Sequence, residues 1–565
     1  MLLALVPLLG LYAQNANILP VTALARPGCV LVGLSALVWA VGWAALGDRY
    51  RAGLIASSIL VPLIVTWGVL EDLISAVVPF LATWTPAAFY AVYVCIFGAI
   101  VAFLVYRDRS NIARIRRVLL AAALVAGIGL VTASFALAPL FGRRAAWMIA
   151  AYLIATVFVI TAVWRYEGDV TRATRSLNWF AAILLGLYAA SVFFSRSPAG
   201  GISVPPLPLP ESVSQMPKDR LPDIYFIALD GYARSDILRS EFSYNNLTFE
   251  DGMKTNGFQI VPESHSNYTQ AVLSLTACLN MEYLHAMGAP AARTGADMNH
   301  VIRLYHDNRV FKTLREIGYS IVAFSPGLES LEPRSEGVAI LAPPHSVGEF
   351  EMVLLDRTVA SRVMQAVYYL KYQNPAYWRY AFRRERILYA FDEMARLAQT
   401  ESSAPRLIFA NLLIPEPPYL FTRDGGRAQP FGQGSLAIDR RFRGRESEYR
   451  AAYLDQVHFT NQKLLETTQR IIEGAKRPSV ILIASSRGAP VFLERSTAPP
   501  ETRYRNLILV RFPDGTADSH LYDSMSLVNL FRVTLNRIVD AGLPILEDRI
   551  IDTSEESPFQ LAPAR

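Results

Sequence analysis

Pro222-Asp223-Ile224-Tyr225-Phe226-Ile227-Ala228-Leu229-Asp230-Gly231-Tyr232-Ala233-Arg234 decides the fold of the larger part of this chain. An apolar and aromatic run bounded by aspartates reads as a buried strand, and the glycine behind it as a tight turn. Asp230 at the strand tip suits a metal carboxylate facing a cleft, although an Asp-Gly pair is also an ordinary turn signal. Working outward, strands are predicted at 223–230, 320–324, 407–413, 480–484 and 506–511. Helical stretches are predicted near 269–284, 300–317, 385–399, 449–474 and 524–540. Such alternation predicts an α/β domain with a largely parallel sheet flanked by helices, and a ligand site at the carboxyl ends of its strands.

The residues before Arg196 have a different solvent. They are predominantly apolar, and all seven histidines and every lysine lie beyond them. A bilayer core of about 30 Å needs roughly 20 apolar residues per helix. On that basis about seven spans are predicted, near 1–18, 27–47, 53–70, 84–106, 118–140, 146–164 and 178–194, the first being the weakest. It lacks the basic start of a cleaved signal peptide. Arginines concentrate in alternate loops, at Arg49 and Arg51, at Arg107 to Arg117 and at Arg165 to Arg175. These loops are expected to be cytoplasmic, which puts the N-terminus inside and the α/β domain outside. Arg143 and Arg144 run against that pattern. Glu71 and Asp72 read as markers of the outer interface, with a lipid-head-group or transport site as the alternative.

The predicted organisation is a multi-span α-helical domain over 1–196, a Pro-rich linker over 197–222 and a water-soluble domain over 223–565. Pro205, Pro206, Pro208 and Pro210 make the linker read as a spacer. The net charge of +6 belongs largely to loop arginines, so nucleic acid is not expected as a partner. Cys278 is the lone cysteine of the outer domain, which leaves it no internal disulfide. His285, His300, His306, His345, His458 and His520 show no metal-ligand spacing, and His265 reads as a hydrogen-bonded loop residue.

Four motifs carry a resemblance. They are the 222–234 stretch, Ser266-Asn267-Tyr268-Thr269-Gln270-Ala271-Val272-Leu273-Ser274-Leu275-Thr276-Ala277-Cys278-Leu279-Asn280, Pro415-Glu416-Pro417-Pro418-Tyr419-Leu420-Phe421, and Val528-Asn529-Leu530-Phe531-Arg532. Together they resemble the sulfatase-type branch of the alkaline phosphatase superfamily, in particular bacterial membrane-anchored sulfatase-like proteins. The resemblance spans the outer domain. It implies metal ions held by carboxylates and histidines, and a Thr, Ser or modified Cys that attacks phosphorus or sulfur.

Three departures fall on that machinery. Asp230 keeps the first acidic ligand, but Ala271 stands where the resemblance puts the nucleophile, and a methyl group cannot attack. The strand ending at Ala484 leads into Ser485-Ser486-Arg487-Gly488 where relatives carry Ser-Asp-His-Gly, so Ser486 and Arg487 replace two ligands. Glu416 stands at the histidine of a Pro-His-Pro-Pro segment. A guanidinium stays protonated and cannot coordinate a cation, so Arg487 is expected to supply a metal's charge and to pair with Glu416. Ser274 or Thr269 are the candidates for a substitute nucleophile. In a helix Ser274 lies roughly 4.5 Å along the axis from Ala271.

These readings predict a catalytically impaired sulfatase-like protein of a bacterial inner membrane, with a periplasmic domain and no required cofactor. It is expected to act as sensor, scaffold or subunit in polysaccharide or lipid metabolism. Arg487 and Arg234 are its candidates for binding an anionic glycan or lipid head group, and its expected partners are membrane lipids and an envelope-biosynthesis protein. The first alternative is an active hydrolase, or a transferase of phospho-substituents, that uses a divalent metal. The second is lipid or glycan transport by the membrane helices.

Overall fold

The computed structural model describes residues 2–16, 19–61, 64, 169–195, 204–214, 216–287, 296–372, 377–428, 446–489, 500–515 and 520–551. They form two compact units, one made of residues 1–197 and 351–378, the other of 198–350 and 379–565.

In the first unit, helices run over Val6–Gln14, Ala25–Leu46, Arg49–Val61 and Thr171–Ser195. Pro27 fits in the first turn of the second helix, where its missing N–H costs nothing. Gly47, at φ +66°, closes that helix in the left-handed conformation glycine tolerates. Two segments, Val21–Leu46 and Thr174–Phe194, are long and apolar enough to cross a membrane. Their apolar side chains face outward, with Val41 62% and Phe193 76% exposed, which in water would be unfavourable and in lipid is not. The predicted spans at 84–106, 118–140 and 146–164, residues 62, 63 and 65–70 of the span 53–70, and Glu71 and Asp72 lie outside the described residues.

The second unit holds a seven-stranded sheet. Its strands are β1 (Asp223–Asp230), β2 (Gln259–Ile260), β3 (Ser320–Phe324), β4 (Val338–Leu341), β5 (Arg406–Pro415), β6 (Ser479–Ser485) and β7 (Ile508–Arg511), in the order β2-β7-β6-β1-β5-β3-β4. From β6 to β4 every neighbour is parallel, whereas β7 and β2 run antiparallel at one edge. The sheet is therefore largely parallel, as expected, and mixed only at the edge where β7 and β2 pair antiparallel; β2 and β4 are short strands that sequence periodicity does not reveal. β2 and β4 have two and four residues, too short to show a pattern.

All eight residues of β1 are buried, as a central parallel strand covered on both faces requires. Phe226 stacks on Phe409 at 5.3 Å and meets Phe531 edge-on at 5.2 Å. The helix Leu527–Val539 thus packs one face while Phe311, from Arg309–Glu316, closes on Phe409 at 5.8 Å. Residues 204–214 and 216–222, read as spacer, are docked chain. Val204, Val213 and Leu221 are buried, Lys312 Nζ donates to the Val204 carbonyl at 2.9 Å, and the Leu207 N–H donates to Thr313 Oγ1 at 3.0 Å.

Candidate functional site

Three parallel strands deliver the site. In the sheet β6, β1 and β5 are neighbours, with Leu229 opposite Ser485 and Asp230 opposite Pro415. Residues leaving the carboxyl ends of the flanking strands must therefore meet at Asp230, although they are far apart in sequence. Glu416 follows β5 and Ser486-Arg487 follows β6.

Arg487 lies between the two acids. Its Nε is 3.0 Å from Asp230 Oδ1 and its terminal nitrogen 2.5 Å from Glu416 Oε1. Ser486 Oγ donates to the same Asp230 oxygen at 3.1 Å. Asp230 and Glu416 are each 2% exposed and Arg487 8%, so these are desolvated charges that depend on each other. Burial alone would ease the proton off Arg487, but the carboxylates of Glu416 and Asp230 outweigh it and the pKa is raised.

A second guanidinium, invisible to sequence reading, stands behind the first. Arg383, from the helix Trp378–Ala398, is 2% exposed. It donates to the carbonyl of Pro417 at 3.2 Å and to that of Leu413, pinning the turn that presents Glu416. Burial pushes its pKa down to about 10, against the opposing pull of Glu416 and Asp230. Two carboxylates and two guanidinia make the cluster neutral. Arg383 is followed closely by Arg384 and Arg386, and such a group of arginines reads in sequence as a solvated helix face.

Backbone constraints fix the loops. A Cβ on Gly488 would lie 2.1 Å from the Thr502 carbonyl oxygen, and the Gly488 N–H donates to the Arg503 carbonyl at 2.7 Å. Gly231 turns the chain after Asp230 at φ +82°. Tyr453 reaches in from the helix Glu446–Gly474 to bond both the Gly231 carbonyl, at 2.9 Å, and the Ala233 N–H, at 3.1 Å.

The other predicted residues are elsewhere engaged. Arg234 grips Asp236 with two nitrogens at 2.8 and 2.7 Å and the Ser264 carbonyl with a third at 3.0 Å. Ala271 opens the helix Ala271–Asn280. Ser274 is fully buried, donating to the Tyr268 carbonyl at 2.8 Å and accepting from the Tyr268 N–H at 3.2 Å, which removes it as a ready nucleophile. Thr269 is 9% exposed in the loop before that helix. His265 bridges backbone to Arg505 and Ser526, and burial lowers its pKa while Asp548 opposes.

A divalent ion needs several lone pairs pointing at one point. Here the space between the two carboxylates holds a guanidinium, which has none. Among the described residues no three His, Cys, Asp or Glu side chains gather to hold an ion. The residues present do not fit the metal that the resemblance implies.

No protein-family model and no curated protein matches the chain. Solved structures do. The integral membrane lipooligosaccharide phosphoethanolamine transferase A from Neisseria meningitidis is 11% identical, with 86% of this chain and 95% of that one covered at a TM-score of 0.38. The C-terminal periplasmic domain of EcEptC from Escherichia coli is 12% identical, covering 60% and 87% at 0.36. The phosphonate monoester hydrolase of Agrobacterium radiobacter is 14% identical, covering 56% and 73% at 0.35. Phosphoethanolamine transferases and a phosphonate hydrolase are thus among the structural neighbours of this chain.

Proposed function

We propose that this chain is an inner-membrane protein of cell-envelope lipid or polysaccharide metabolism, whose periplasmic sulfatase-like domain is catalytically impaired and serves as a scaffold or partner subunit. The observation that carries this is Arg487 held between Asp230 and Glu416. A guanidinium neutralised by two buried carboxylates neither coordinates nor activates an oxygen, and Ala271 supplies no nucleophile.

The same geometry weighs against one form of the reading. Two nitrogens of Arg487 are engaged by Asp230 and Glu416, whose negative charge opposes a phosphate or sulfate, and the Arg234 donors are committed to Asp236 and Ser264. A scaffold is therefore supported better than a sensor that binds an anionic head group through these two arginines.

The second reading is an active transferase of phospho-substituents onto envelope lipids, using a divalent metal. The names of the matched solved structures speak for it over the impaired reading, and it needs a nucleophile other than Ala271, for which Thr269 is the remaining candidate. One experiment separates the two. The purified full-length protein is incubated with phosphatidylethanolamine and lipid A, with zinc or with chelator, and diacylglycerol release is measured. The impaired reading expects none under either condition. Turnover that chelator and Asp230→Ala abolish, together with stoichiometric bound metal, overturns it in favour of the transferase.

A further inference from the structure

The segment 351–378 lies in sequence between β4 and β5, yet it belongs to the same compact unit as the N-terminal apolar helices. We infer that its helix Ala360–Tyr372 is an interfacial helix that lies on the outer surface of the bilayer and anchors the outer chain to the membrane a second time. This rests on the reading of the N-terminal unit as membrane-embedded.

Val363, Val367 and Leu370 are 54%, 50% and 66% exposed. At spacings of four and three residues they fall on one helix face. Single exposed apolar residues are ordinary, but an aligned stripe on a helix is an interaction surface. The flanks are of the kind found where lipid meets water: Lys371 lies over the Tyr372 ring at 5.1 Å, and Tyr368 and Tyr372 pair at 5.4 Å.

The occupant is set by a second contact within the same unit. Glu351, at the start of the segment, takes Arg26 Nε at 2.6 Å, and the Arg26 terminal nitrogen reaches its other oxygen. Arg26 sits in the first turn of Ala25–Leu46, one of the two segments long and apolar enough to cross a membrane. That end of the helix is by necessity at the level of the head groups. The loop arginines put the same end on the outer side, where a segment of the outer chain can reach it. The ion pair therefore pins residue 351 at the membrane boundary, and the apolar stripe follows within the same short stretch. A bilayer is continuous with that boundary.

Spin labels on the full chain test this. In a background of Cys29→Ser and Cys95→Ser, with Cys278 left buried, single cysteines replace Val363, Val367, Leu370, the water-exposed Ser240 and, in the apolar helix, Leu37 and Val41. Oxygen and nickel-chelate accessibility are measured in nanodiscs of phosphatidylethanolamine and phosphatidylglycerol. Labels at 363, 367 and 370 are expected to favour oxygen, with shallow positive depth values between those at 37 and 41 and the aqueous value at 240. Aqueous values at the three stripe positions, with lipid values at 37 and 41, overturn the interfacial helix alone. Aqueous values at 37 and 41 as well sink the membrane reading beneath it. Immobilised labels with dipolar broadening between copies would show a second chain on the stripe and overturn the bilayer as its occupant.

Discussion

Strand β1 begins and ends on a buried aspartate, and the two ends use the same pair of chemical groups in opposite proportions. At the start, Asp223 is one carboxylate served by several donors. It accepts from the Arg406 N–H at 2.8 Å, from Arg406 Nε at 3.1 Å and from its terminal nitrogen at 2.6 Å, with Arg477 Nε at 3.8 Å. At the finish, Arg487 is one cation shared by two carboxylates. The first arrangement braces β1 to β5 and survives the loss of a donor. The second has a single hub, and it stands where the strand ends gather and where the resemblance expected a metal.

The two ends of β1 should differ most when each loses its cation. Arg487→Ala leaves Asp230 and Glu416 buried with the charge between them gone, and cutting a buried pair in this way costs about 3–5 kcal/mol. Thermal unfolding of the full chain in detergent is expected to show a large drop in Tm. Zinc or manganese should then raise the Tm of Arg487→Ala while leaving the native chain unmoved, because only in the variant do the two carboxylates face one space with no guanidinium filling it. An unchanged Tm in the variant would mean that Arg487 is not the hub.

Arg406→Ala is expected to cost less, about 1–3 kcal/mol. The Arg406 backbone N–H stays with Asp223, and Arg477 is close enough to move in. Divalent ions should have no effect on this variant. If it is destabilised more than Arg487→Ala, the roles of the two ends are reversed.

Much of this contrast was legible in sequence at the level of single residues. The runs 223–230 and 320–324 match β1 and β3 residue for residue, because buried parallel strands are continuous apolar runs. Asp230, Glu416 and Arg487 were legible because fixed neighbours set their registers, the paired prolines around Glu416 and Gly488 after Arg487. Arg383 was not. It lies among arginines on a long helix, and whether such a residue faces water or core depends on the packing angle of the helix, which no local pattern records. Residues 351–378 were missed for a related reason. Their grouping with the N-terminal helices is a matter of long-range contact, and the pair it includes, Arg26 with Glu351, joins two residues that each look like ordinary surface charges.

Glu349 offers a contrast, a partly buried acid whose pKa is raised by a second acid, Glu329. Burial, and then the neighbouring Glu329, push its pKa up to about 7 from an ordinary 4.5. The sign follows from proton counting. Between about 4.5 and about 7 the folded state holds a proton that the unfolded chain has released, so stability falls as pH rises through that window. The total is of order 1–3 kcal/mol. Glu349→Gln should flatten this slope when Tm is measured from pH 4.5 to 7.5, and leave stability at the acid end nearly unchanged. Arg487→Ala should acquire an additional slope of the same sign, since its stranded carboxylates would then share the predicament of Glu349 and Glu329. A variant whose Tm follows the native pH profile would show that the two acids at the end of β1 find another cation, with Arg383 the nearest in reach.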